Sequence, residues 1–103
     1  IHRVVGLDVA DAVFEPDSIE VREQWEPRFG LLLDELQKSQ AVLRLSYVAD
    51  LETEALVQRR LDALKNRIMT EWSTSDAAYE LIVEPEIYWR LGGPVKKPKG
   101  GAQ

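Results

Sequence analysis

The chain has 103 residues, 45% of them hydrophobic and 30% charged, which suits one globular domain. No apolar run approaches the roughly 20 residues that a bilayer-spanning helix needs, and zero cysteines excludes disulfides and thiolate metal sites. The formal charge of -5 understates the acidity, because ten basic and eighteen acidic side chains precede Lys96, a net of -8, and so negative a body repels nucleic acid and anionic lipid.

Arg3 to Glu15, RVVGLDVADAVFE, has β-branched residues and partial alternation, which predicts one bent strand or two short ones. Pro16, Asp17 and Ser18 make a turn, in which Asp17 or Ser18 could cap the next segment. Trp25, Phe29, Leu32, Leu33 and Leu36 recur at helical spacing. Pro27 fits as the first residue of that helix, since a proline farther inside would cost about 3 kcal/mol. Ser18 to Glu26 then forms a separate helical turn or loop.

Ala41 to Ala49, AVLRLSYVA, reads as a strand with Leu43, Leu45 and Tyr47 on one face and Arg44 and Ser46 on the other. A second helix is predicted from about Glu52 to Trp72. Val57, Leu61, Leu64, Ile68 and Trp72 form its apolar stripe, and Arg59, Asp62 and Asn66 point outward. The stretch AYELIVEPEIYWRL alternates along its length. Tyr79, Leu81, Val83, Ile87, Trp89 and Leu91 fall on one side, and Glu80, Glu84, Glu86 and Arg90 on the other. Pro85 either interrupts this strand or marks it as a sheet edge. The order is β-α-β-α-β, an α+β domain of two helices packed on one face of a small mixed sheet. It spans residues 1–91, and residues 92–103, GGPVKKPKGGAQ, make a flexible tail. Ile1 stands where a start methionine would, and no signal-peptide pattern comes after it, so a segment of a longer protein is expected.

Most candidate chemistry has a plainer explanation. His2 is the only histidine and sits at the terminus, so a histidine-based catalytic or metal site has nothing to converge with. Glu80, Glu84 and Glu86 share a strand face as general acid–base groups or cation ligands would, but a solvated face that discourages edge pairing is the plainer reading, because alternation alone predicts it. Trp25, Trp72 and Trp89 each fall on an apolar stripe, which favours core filling over a sugar-stacking platform. LGGPVKKPKGG lacks the spacing of a phosphate loop. No cofactor or metal is expected.

The stretch YVADLETEALVQRR is richer. Asp50 follows a strand and precedes a helix, where a carboxylate meets unpaired N–H groups, and either Asp50 or Thr53 suits the cap. Arg60 lies about 80° from the centre of the apolar stripe, on the same side as Thr53. An arginine there could take a carboxylate in a forked contact while Asp50 takes an ammonium.

These pieces resemble the OmpA-like domain, the peptidoglycan-associating module of Gram-negative envelope proteins. VFEPDS is similar to its Phe-x-x-x-Ser turn, PRFGLLLDELQK to its proline-started helix, and LRLSYVAD followed by TEALVQRRLDAL to its strand, turn and second helix. The similarity covers Val13 to about Trp72 and is looser over the last strand. EIYWRLGGP also resembles the ending of large proteobacterial surface proteins. The resemblance implies that Asp50 and Arg60 stand where the family grips diaminopimelate of the peptide stem, with Thr53 as a polar contact. It departs at Ala49, Thr53 and Val57, where threonine, asparagine and serine are usual. The expectation is a non-catalytic structural or anchoring domain with a degenerate peptidoglycan site, in the Gram-negative envelope or at the cell surface. Its partners would be the rest of the parent protein or other proteins, without nucleic acid or membrane insertion. The alternative is weak retained binding of diaminopimelate-containing peptide through Asp50 and Arg60.

Overall fold

A computed structural model describes residues 3–93; His2 and the tail beyond Gly93 lie outside the described residues. The elements are β1 (Arg3–Ala10), a single 3-10 turn at Asp11–Val13, another at Glu23–Trp25, α1 (Glu26–Leu36), β2 (Ala41–Ala49), α2 (Glu54–Ser73) and β3 (Ile82–Trp89). They build a small α+β domain on one sheet of order β1-β2-β3.

Both strand pairs are parallel, whereas a mixed sheet is expected from the sequence. Each of the first two strands leads into a crossover helix that carries the chain back to the start of the sheet. The next strand therefore runs in the same direction. Two crossovers stepping the same way place both helices on one face.

That face is legible in β2, where Ala41, Leu43, Leu45, Tyr47 and Ala49 are all buried. They meet Val57, Leu61, Leu64, Ile68 and Trp72, the stripe of α2, and Phe29, Leu32 and Leu36 of α1. The opposite face is open. Its rows obey the register: Val4, Val42 and Ile82; Gly6, Arg44 and Glu84; Asp8, Ser46 and Glu86; Ala10, Val48 and Tyr88. Parallel sheets are usually covered on both faces, so polar side chains must keep this one wet. Arg44 does so, reaching Glu84 at 3.8 Å and Glu86 at 3.9 Å, and the Ser46 and Tyr88 hydroxyls donate to Glu86. The glutamates serve the sheet's solvated side.

Local chemistry sets the boundaries. Pro27 occupies the first turn of α1, one residue past the helix start, where its missing N–H costs nothing. Thr53 caps α2, its Oγ1 accepting the Leu56 N–H at 3.2 Å. β3 is shorter than the alternation suggests. Tyr79 precedes it, held by the Trp72 indole N–H donating to the Tyr79 carbonyl at 3.0 Å, and Leu91 lies beyond it, in a turn whose Gly92 has φ +82°.

Pro85 sits on an edge strand, and its tolerance has a specific cause. The Arg90 N–H donates to the Ala49 carbonyl at 2.9 Å, so even-numbered residues of β3 face β2. In a parallel ladder alternate residues point away. Val83, Pro85 and Ile87 therefore turn their backbone polar groups outward, and the proline removes a donor the sheet never uses. No helix among the described residues is long and apolar enough to cross a membrane.

Candidate functional site

The carboxyl ends of the three strands and the start of α2 meet the loop that leaves β1. Asp11–Val13 makes one turn there, and Phe14 bridges Val21 in antiparallel fashion. The Glu15 N–H donates to the Glu20 carbonyl at 2.8 Å and the Arg22 N–H to the Val13 carbonyl at 2.8 Å. Asp17 takes φ 53°, a left-handed conformation that aspartate tolerates, and the Ser18 hydroxyl accepts the Glu20 N–H. The result is a tight hairpin that presents carbonyl oxygens toward α2.

Arg60 fills it. The residue has 0% exposure. Its Nε–H donates to the Ser18 carbonyl at 2.7 Å and Nη2 to the Glu15 carbonyl at 3.1 Å. Nη1 donates both to Asp11 Oδ1 at 2.7 Å and to the Tyr47 hydroxyl at 2.8 Å. The guanidinium also lies 4.7 Å from the centre of the Phe14 ring, within cation–π range, and that ring stacks on Tyr47. A rigid fork with donors on three nitrogens suits this set of acceptors as an ammonium would not. Burial opposes the charge, but the Asp11 and Tyr47 contacts outweigh it and hold the Arg60 pKa above its ordinary value.

The network continues. The Tyr47 hydroxyl donates to Glu52 Oε2 at 2.7 Å, while Glu52 Oε1 accepts the Asp50 N–H at 2.8 Å. Burial, and then the hydrogen bond to Glu52, push the Tyr47 pKa well above its ordinary 10.0.

The three residues singled out from sequence therefore part company. Thr53 caps the helix and is exposed. Asp50 is half-buried on a shallow cleft of about 270 Å³ lined also by Asp11, Glu52 and Arg90. Arg60 has its ion pair with Asp11 and not with Asp50. The expected juxtaposition of Asp50 and Arg60 across a ligand pocket gives way to an internal anchor, because the loop after β1 wraps the very flank of α2 on which Arg60 stands. Sequence reasoning missed Asp11, Tyr47 as a polar partner, Glu52 and Arg90. The first lies 49 residues from Arg60, too far for any spacing rule. Glu52, beside the Thr53 cap, carried a local signal.

The tryptophans act separately. Trp72 is buried among Leu36, Leu43 and Ile68, while Trp25 and Trp89 pack against the other half of the core. Among the described residues no group of three or more His, Cys, Asp or Glu side chains could hold a metal ion. Comparison with family models, with curated proteins and with solved structures finds no match.

Replacing Arg60 with alanine leaves a cavity, strands two loop carbonyls and takes one donor from Tyr47, so a loss of about 3–5 kcal/mol is expected in urea unfolding. Arg59→Ala, on the exposed flank, should stay within about 0.5 kcal/mol. Tyr47 gives a pH signature. Its folded pKa is raised, so its contribution is fully present below the ordinary tyrosine pKa and is lost as pH climbs beyond it. Tyrosinate absorbance should show one of the three tyrosines ionising only together with alkaline unfolding, and Tyr47→Phe should delete that step.

Proposed function

We propose that this is a non-catalytic structural or anchoring domain of a Gram-negative envelope or surface protein, built on an OmpA-like plan whose peptidoglycan site is degenerate. One observation carries the proposal. The only cation that the resemblance offers for a diaminopimelate carboxylate is Arg60, and Arg60 is fully enclosed with Asp11, Tyr47 and two loop carbonyls as its acceptors. To reach a ligand its buried guanidinium would have to abandon four hydrogen bonds, including those to Asp11 and Tyr47, at a cost of about 1–3 kcal/mol for each buried polar group left unpaired, comparable to what a weak peptide contact supplies. The β-α-β-α-β element order supports this reading, and the partners are then the parent protein or other proteins.

A second reading keeps some peptidoglycan binding, with a different cation. The Asp50 carboxylate makes no hydrogen bond or ion pair among the described residues, and Arg90 shares its cleft. An ammonium on Asp50 and a carboxylate on Arg90 would suit a zwitterion.

Titration of the isotope-labelled domain with a diaminopimelate-containing muropeptide separates the two. The first expects no amide perturbation at Asp50 to Thr53 or at Arg60 with millimolar ligand. Shifts at Asp50 and Arg90 that vanish in Arg90→Ala would establish the second, and shifts abolished only by Arg60→Ala would overturn both.

A further inference from the structure

The other flank of α2 faces away from α1 and overhangs the outer edge of β3. Between them runs a groove of about 660 Å³ whose lining includes Lys65, Met69, Trp72, Glu80, Ile82 and Val83. That volume lies within the range of binding clefts. Met69 and Tyr79, both in its lining, are each 37% exposed, so the groove offers apolar surface to solvent.

Its floor carries more specific information. Val83 turns its N–H and C=O outward, as the Arg90 to Ala49 hydrogen bond requires of odd-numbered residues, and no described strand lies beyond β3. Unpaired strand edges are a template for another chain. The farther half of this edge is guarded: Pro85 offers no donor, and charged Glu84 and Glu86 flank it. The nearer half, beside the groove, has no such guard. The outward N–H and C=O of Val83 next to an apolar helix flank suit an extended polypeptide that pairs there by its main chain and seats a side chain under the helix.

Charge sets the pattern along it. Trp72 stands over Tyr79, to whose carbonyl its indole donates. Lys65 is two helical turns earlier, about 10 Å along the groove toward Pro85. Neither Lys65 nor Glu80 has an ion pair or side-chain hydrogen bond among the described residues, although several neighbouring charges on α2 do. A cation and an anion without partners at the two ends of an apolar trough complement a segment with charges in the reverse order.

We infer that the groove between α2 and the first half of β3 binds an extended segment of a partner protein by strand addition at Val83. The segment carries alternating apolar residues, a Lys or Arg where it passes Glu80, and an Asp or Glu beneath Lys65. This site lies on the opposite flank of α2 from Arg60 and is independent of the cell-envelope proposal, so failure of the muropeptide titration leaves it standing.

A phage-displayed library of random decapeptides, panned against the whole chain, tests it. The expected consensus alternates apolar residues between a basic and an acidic position. A synthetic peptide of that consensus should perturb the amides of Met69 and Leu81 to Val83. Met69→Glu, at an exposed position, should weaken its binding at least about tenfold. Val83→Pro, which removes the outward N–H together with part of the valine's core packing, should do the same while the amide spectrum far from β3 stays that of the folded domain. Glu80→Lys should weaken it also, with recovery when the basic residue of the peptide is made acidic. Absence of enrichment overturns the inference, as do selected peptides that map to another surface or that bind Met69→Glu unchanged. Self-association through this groove without peptide enrichment would assign the site to a second copy and overturn the partner proposed here.

Discussion

The domain depends on one buried cation. Arg60 ties together a loop more than forty residues away in sequence, the end of the central strand and the helix it belongs to. A guanidinium without water must find acceptors, or the cost reaches several kcal/mol. Here the hairpin after β1 supplies two carbonyls, Asp11 supplies the countercharge and Tyr47 passes the network on to Glu52. The apolar core would accept many arrangements of that hairpin. The directional requirements of one arginine accept few, which is how a polar network specifies a structure that hydrophobic burial only stabilises.

The same contacts decide what the carboxyl end of the sheet can do chemically. Ligands in sheets of this kind gather outside the carboxyl ends of the strands, and Asp11, Asp50, Glu52 and Arg90 all stand there. Two of those acids are already committed, Asp11 to Arg60 and Glu52 to Tyr47 and the Asp50 N–H. Among the described residues, the acid left free there is the carboxylate of Asp50, which shares its cleft with Arg90. A second ion pair on α2 reinforces the same packing: Arg67 bonds Glu26 of α1 and lies 4.5 Å from the Phe29 ring. Like that of Arg60, its pKa is held above the ordinary value, by the hydrogen bond to Glu26 first. Arg60 and Arg67, about two turns of helix apart, thus clamp α2 to the segments that precede β2.

The helices and the central strand were legible in the sequence because burial imposes a period. Each residue of the α2 stripe, Val57 through Trp72, is buried as its spacing requires, and β2 alternates as a sheet covered on one face must. Strand direction was not legible, since a single strand alternates identically in parallel and mixed sheets, and only the crossover by α2 fixes it. The length of β3 was overestimated for a related reason: alternation continues through Tyr79 and Leu91, but tertiary contacts of Trp72 and a turn at Gly92 end the pairing earlier. The position of Arg60 on the wheel correctly marked a boundary. Which way a boundary arginine turns depends on whether another segment covers it, and the covering loop comes from the far end of the chain.

The exchange rate of the Arg60 Nε proton measures the central claim most directly. If the guanidinium is enclosed by Ser18, Glu15, Asp11 and Tyr47, that proton should exchange only through global unfolding, with a protection matching the stability of the whole domain. Exchange as fast as that of the exposed Arg59 would mean that the arginine reaches solvent in the native state, and the buried anchor would be contradicted.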